Sequence, residues 1–197
     1  MPYFHVHAFI DGGFLLERGA ELGVAFPDPF ALAYQAVRNQ SVQRWAQPLH
    51  SSDFQVALAR VTYYDAAPDD FSSASPERRA YWQAIERIPD TALGFGYLRG
   101  RKGRQPRQKG VDTLIAVDML VGAFSGLFPI ALLVAGDADF IPVIDEVRRR
   151  GVQVFLVTTR SHSSEDLWDA ADQVLFIGRE NQEVPLEALA FSPPAQE

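Results

Sequence analysis

Apolar residues along the chain fall into short dense runs, separated by segments in which they recur at helical spacing. The strand-like runs are Tyr3–Ile10, Val56–Tyr64, Ala92–Leu98, Ile130–Ala135, Val152–Thr158 and a short Val174–Ile177. Most are rich in β-branched or aromatic residues. Ile130–Ala135 is nearly continuous apolar, the pattern of a strand covered on both faces. Between the runs, Pro29–Trp45 carries Phe30, Ala33, Tyr34 and Val37, then Val42 and Trp45, on a helical period. Pro76–Ile88 opens on Ser75 as a capping residue with proline at the first helical position. Leu114–Phe124 and Phe140–Arg150 follow, the latter stopped by Gly151. Strands alternating with helices predict an α/β fold in three layers, α/β/α, with a mostly parallel sheet.

That architecture directs attention to the residues just after each strand, because ligands bind beyond the carboxyl ends of the strands where strand order reverses. The first strand ends in Ile10-Asp11-Gly12-Gly13, and the fourth in Ala135-Gly136-Asp137-Ala138-Asp139-Phe140. An extended exit would aim Asp137 and Asp139 the same way. Asp112 opens the helix that leads into the fourth strand. Asp118, six residues on, lies about 240° around that helix and falls with Leu114 and Val121 on the side expected to be buried. Taken alone, each acid reads as a cap or a solvated charge, and Asp112 and Asp139 sit where caps belong. Together, Asp11, Asp112, Asp137 and Asp139 make a stronger case. Two carboxylates 4 Å apart repel by roughly 4 kcal/mol at an effective dielectric near 20. A converging set must bind protons, splay or hold a cation. Oxygen ligands favour a hard ion, Mg²⁺ or Mn²⁺, which can activate water for in-line attack on a phosphodiester.

Composition narrows the classes. The 197 residues suit one domain, expected over 1–191 with a frayed tail at 192–197, and 47% apolar content excludes general disorder. The absence of cysteine excludes disulfides, thiolate metal sites and a cysteine nucleophile. The run Ile130–Ala135 is far short of the about 20 apolar residues of a membrane span. With no signal-peptide pattern, a cytoplasmic protein with no membrane partner is expected. Formal net charge is −7, yet residues 99–109 hold Arg99, Arg101, Lys102, Arg104, Arg107 and Lys109 with no acid. A concentrated positive segment on an acidic protein is an electrostatic footprint for phosphate. Its glycines and proline suggest a mobile loop, and it runs directly into Asp112.

Phe9-Ile10-Asp11-Gly12-Gly13, Lys109-Gly110-Val111-Asp112 with Asp118 following, and Val134–Pro142 resemble the NYN domain, the LabA-like branch of the PIN-like nuclease superfamily. Ser164, Leu167, Ala171 and Asp172 through Ile177 resemble the end of that domain, so the likeness spans about Tyr3 to Gly178. The resemblance implies a PIN-like, Rossmann-like sheet of order 3-2-1-4-5, which sets Asp11 beside Asp137. It also implies a metal-dependent (endo)ribonuclease site carried by Asp11, Asp112, Asp137 and Asp139, with Asp118 a further candidate ligand. The ion would be Mg²⁺ or Mn²⁺ and the partner RNA, expected to be single-stranded and bound by the basic segment. One departure matters: Phe14 stands where many members have asparagine.

Two readings therefore stand: a ribonuclease working through metal-activated water, and a weak or inactive RNA-binding or adaptor module on the same fold. A homo-oligomer is compatible with either, and the sequence specifies none. Gly13 lacks the second aspartate of a haloacid-dehalogenase-type phosphatase, and Gly94-Phe95-Gly96 lacks dinucleotide-site spacing. His5, His7, His50 and His162 are scattered, and a structural or partner-facing role is expected for each.

Overall fold

Every residue of Ile130–Val134 is buried, so this strand must be covered from both sides, and the rest of the chain is arranged accordingly. The structure, a computed structural model, describes residues 3–39, 42, 55–68, 71–99, 107–178 and 184–185. In chain order the elements are β1 (Tyr3–Asp11), α1 (Gly12–Glu21), α2 (Pro29–Arg38), β2 (Gln55–Ala67), α3 (Pro76–Glu86), β3 (Thr91–Arg99) and β4 (Arg107–Lys109). They continue with α4 (Val111–Phe124), β5 (Ile130–Val134), α5 (Ile141–Arg149), β6 (Gln153–Thr158), α6 (Glu165–Ala170), β7 (Gln173–Gly178) and β8 (Val184–Pro185). Single 3₁₀ turns lie at Phe71–Ser73 and Ala138–Phe140.

The described strands form one sheet in the order β4-β3-β2-β1-β5-β6-β7-β8. All neighbours are parallel except β3 and β4. The predicted order holds, with the expected fourth and fifth strands appearing as β5 and β6. β1 lies between β2 and β5, so strand order reverses at its carboxyl end. There Asp11 is in register with Tyr64, Tyr64 with Gly94, and Ile10 with Val134.

Alternation along the strands divides the core in two. Val6, Ala8, Ile10, Leu132 and Val134 pack on one face with Leu15 and Leu16 of α1, Leu32 and Ala36 of α2, and Trp82 and Ile85 of α3. Phe9, Ala131 and Leu133 pack on the other with Val111, Ile115 and Met119 of α4 and with Ile144 and Val147 of α5. Of Phe140 and the helical stripe Ile141, Ile144 and Val147, which the sequence pattern assigns to the core, all are fully or almost fully buried except the half-buried Ile141.

The structure departs from the sequence reading at several elements. α1 was not expected, because it opens on two glycines; the Asp11 cap and the burial of Leu15 and Leu16 override their poor propensity. α2 ends at Arg38, and the expected continuation through 43–45 lies outside the described residues. The basic segment is not a plain loop: Arg107–Lys109 pairs antiparallel with Tyr97–Arg99, and the tip at 100–106 lies outside the described residues. α4 starts at Val111, three residues before its expected beginning, so Asp112 lies within it. Its buried stripe is Val111, Ile115, Met119 and Gly122. Asp118 and Val121 are exposed, the reverse of expectation, because the longer helix is set by Val111 and Ile115. No described helix is long and apolar enough to cross a membrane. The expected tail at 192–197 lies outside the described residues.

Candidate functional site

Three separate elements bring carboxylates toward the point where strand order reverses. β1 ends at Asp11, whose alternation with Phe9 turns it to the face covered by α4. Its carboxylate accepts the Phe14 N–H at 3.2 Å and so caps α1. β5 exits through Ala135 and Gly136 to Asp137, which accepts the Asp139 N–H at 2.9 Å and caps the short 3₁₀ turn. α4 begins at Gly110, whose φ of 84° suits glycine, with no side-chain cap, and Asp112 stands in the first turn. The capping acids are thus Asp11 and Asp137, not Asp112 and Asp139. The turn at Ala138–Phe140 also replaces the extended exit expected to aim Asp137 and Asp139 alike.

Electrostatics couple these acids. Burial pushes the Asp11 carboxyl up to about 6; the Phe14 and Gly13 N–H groups pull the other way, and the charges of Asp112 and Asp65 add to the rise. Asp112 is also raised, first by burial and then by Asp137 and Asp139. Asp112 is therefore the hub, repelled by carboxylates from both strand exits. Asp65, at the end of β2, is engaged elsewhere. It is fully buried and accepts Arg78 Nε at 2.9 Å, Arg78 Nη2 at 2.6 Å, Trp82 Nε1 at 2.7 Å and the Ala66 N–H at 2.8 Å. Asp118 accepts the Tyr64 hydroxyl at 2.7 Å.

A cleft of about 790 Å³ opens at this edge, walled among others by Asp11, Phe14, Glu17, Arg18, Asp137 and His162. Asp112 and Asp139 are not among its walls. A Cβ built on Gly136 would come within 2.6 Å of both the Phe14 ring and the His162 carbonyl, so only glycine fits there. Phe14 therefore fills part of the cleft with an apolar ring where asparagine would offer an amide. Arg18 is buried, with Nη2 3.0 Å from Glu17 and Nη1 3.0 Å from Glu21, while its Nε has no hydrogen-bond partner. His162, expected to have a structural or partner-facing role, stands in the cleft wall; its Nδ1 lies 2.7 Å from Ser161 Oγ and its Nε2 3.5 Å from Glu21. It follows β6, so the strand-exit rule applied to the fifth predicted strand would have found it. Glu17 and Arg18 were missed along with α1. The His7 ring lies 4.9 Å from that of Phe128, and burial, then Arg60 and His5, hold it below the ordinary histidine range. His50 lies outside the described residues.

Of the six basic candidates, Lys109 is exposed and in register with Tyr97, and Arg99 and Arg107 pair across the hairpin backbone. Arg101, Lys102 and Arg104 lie outside the described residues. Gly94 and Gly96 make room for neighbours: a Cβ on Gly94 would meet the Tyr64 ring at 2.5 Å, and one on Gly96 the Val111 side chain at 2.8 Å.

Among the described residues no three His, Asp or Glu side chains are grouped so as to hold a metal ion by themselves. The donor set nevertheless fits a hard cation. Its donors are carboxylate oxygens, and Asp11 and Asp112 are both held above the ordinary carboxylate range, so a positive charge would relieve them. Mg²⁺ is commonly bound through one or two carboxylates and keeps several waters, which suits acids spread along a cleft edge.

No curated protein matches the sequence. In structure the chain is similar to a protein of unknown function from Vibrio parahaemolyticus, at 18% identity and a TM-score of 0.60, covering 92% of this chain and 95% of that one. This likeness bears on the fold alone. A sequence model of the NYN domain matches residues 32–178. The match takes in Asp112, Asp137 and Asp139, while Asp11 precedes it, on the strand that the sheet sets beside β5. The strand order agrees with the PIN-like fold, and the chain belongs to the NYN domain family.

Proposed function

We propose that the protein is a divalent-metal-dependent ribonuclease that hydrolyses RNA phosphodiesters at the carboxyl edge of β1 and β5. The observation that carries this reading is the convergence of Asp11, Asp112 and Asp137, three acids from three elements at the switch point of the sheet: the Asp112 charge adds to the rise of Asp11, and the Asp137 charge to that of Asp112. NYN domains fall within the PIN-like nuclease superfamily, which gives the cluster its chemical context. Asp11, Asp112 and Asp137 would hold Mg²⁺ or Mn²⁺, with Asp139 beside them. When bound, the ion supplies an activated water and neutralises charge on the phosphate.

The chain's own residues do the rest. Asp11 and Asp137 are fixed by backbone N–H groups at helix starts, so their carboxylates are oriented before substrate arrives. Arg18 supplies a buried positive charge in a cleft wall otherwise rich in acids. The basic segment between β3 and β4 draws the polyanion toward an acidic protein.

Phe14 over Gly136 favours the second reading, an RNA-binding module with little or no turnover, because it removes a polar group from the cleft. A cleavage assay on single-stranded RNA separates the two. Wild-type protein should cleave in Mn²⁺ or Mg²⁺ and not in EDTA, and Asp137→Asn should lose cleavage by orders of magnitude while still binding. RNA bound without metal-dependent turnover would favour the second reading.

A further inference from the structure

At the far side of the same edge, three large aromatic side chains stand in solvent. β3 alternates, so Gly94 and Gly96 face Tyr64 and Val111 while Phe95 and Tyr97 share the opposite face. Phe71 joins them from the turn after β2. Its ring centroid is 5.4 Å from Phe95 and 4.9 Å from Trp82, and Trp82 is 5.1 Å from Phe95. Trp82 is buried beneath, so Phe71 and Phe95 rest on a rigid base and cannot sink inward. They remain 44% and 37% exposed, and Tyr97 47% exposed.

We infer that the exposed rings of Phe71, Phe95 and Tyr97 form base-stacking sites for single-stranded RNA, a platform from which the strand passes around the carboxyl edge of the sheet to the aspartate cluster on the other face; this rests on the proposed RNA chemistry of that cluster. Position, charge and chemistry all support it. Asp11, Tyr64 and Gly94 lie in one register line across β1, β2 and β3. At a strand spacing of about 4.8 Å and a rise of about 3.3 Å, the Cα atoms of Phe95 and Tyr97 lie roughly 10 and 14 Å from that of Asp11. The Tyr97 ring also comes within 3.5 Å of where a Gly110 Cβ would stand, two residues from Asp112.

Charge selects the occupant. Lys109 is paired with Tyr97, and residues 99–109 hold six Lys or Arg and no acid in a chain of net charge −7. Aromatic faces beside cationic side chains are the means by which single strands are held without sequence preference. A duplex keeps its base faces stacked inside and offers the platform nothing.

The test is fluorescence-anisotropy binding of a labelled single-stranded oligoadenylate to the full chain in EDTA, which separates binding from cleavage. Tyr97→Leu should weaken binding by about 5- to 100-fold, and Tyr97→Phe should restore it, because stacking needs a flat ring and not merely apolar volume. Phe95→Leu and Phe95→Tyr should behave likewise. An abasic oligomer of equal length should bind weakly and respond to none of these changes. Near-ultraviolet circular dichroism checks that the packing around Trp82 survives. Equal binding by wild type and both leucine variants would overturn the platform, as would a self-association of the protein that those variants abolish. Metal-dependent cleavage is measured in parallel. Cleavage with unchanged binding by the variants would sink the platform alone, and platform-dependent binding without cleavage would sink the nuclease reading alone.

Discussion

Replacing Asp11 with asparagine should stabilise the metal-free protein, by an amount that grows with pH. The carboxyl is raised from an ordinary 3.8 to about 6, chiefly by burial, with Asp112 adding to the rise. Its folded-state value lies above its unfolded one, so the stability it contributes is complete below pH 3.8 and is lost as pH rises through about 6. At about 1.4 kcal/mol per pH unit the loss approaches roughly 3 kcal/mol at pH 7, which is a ceiling for a group that water partly reaches. Asparagine keeps the acceptor that caps α1 through the Phe14 N–H, so the substitution removes charge without removing the bond. Urea unfolding in EDTA from about pH 4 to pH 8 measures the difference. The variant should match wild type at the acid end and exceed it by up to about 3 kcal/mol at neutral pH. In Tm this is about 6–12 °C for a chain of this size. Millimolar Mg²⁺ or Mn²⁺ should then narrow the gap by stabilising wild type alone. A difference that does not change with pH, or a variant weaker at pH 7, would refute the account of Asp11 as a buried and repelled acid.

Other outcomes follow from the same geometry. Mg²⁺ or Mn²⁺ should raise the Tm of wild type, and Asp137→Asn should blunt that rise; a melt indifferent to millimolar metal would count against the site. Neutralising Arg101, Lys102 and Arg104 together should flatten the salt dependence of RNA binding by about 2 in the log–log slope, at roughly 0.7 per phosphate contact. An unchanged slope would mean that RNA runs elsewhere. Arg78→Ala leaves the fully buried Asp65 carboxylate without its cation and should cost about 3–5 kcal/mol in urea unfolding. Gly136→Ala should cost about 1–3 kcal/mol, because its methyl meets both the Phe14 ring and the His162 carbonyl. Adding Phe14→Asn should recover only part of that, since the carbonyl remains.

The central strands were legible because burial on both faces leaves a local mark: Ile130–Ala135 could hardly be anything but an inner strand. Asp11 and Asp137 drew attention because strand exits are where parallel sheets bind ligands, and Asp112 because it stands at the start of the helix leading to the fourth predicted strand. Features governed by distant partners were hidden. α1 begins with two glycines, and only Leu15 and Leu16 meeting the sheet make it a helix. The exposed state of Asp118 depends on where α4 starts, which Gly110 and Val111 decide against β3. His162 follows the fifth predicted strand and carried a local signal, whereas Arg18, more than 140 residues away in sequence, lies in the helix that the glycines concealed. Phe95 and Tyr97 looked like ordinary strand residues until the sheet placed them at its edge.

The place of β1 between β2 and β5 also governs when the molecule is finished. β1 ends at residue 11, yet its neighbour β5 begins only at residue 130. At about 5–20 residues per second, the wait from one strand to the other is roughly 6–24 s. During that interval the growing chain holds Asp11 without Asp137, and one flank of a strongly apolar strand is unpaired. Long-range parallel pairing of this kind is slow to form. The aspartate cluster is therefore completed only when that long-range pairing has formed.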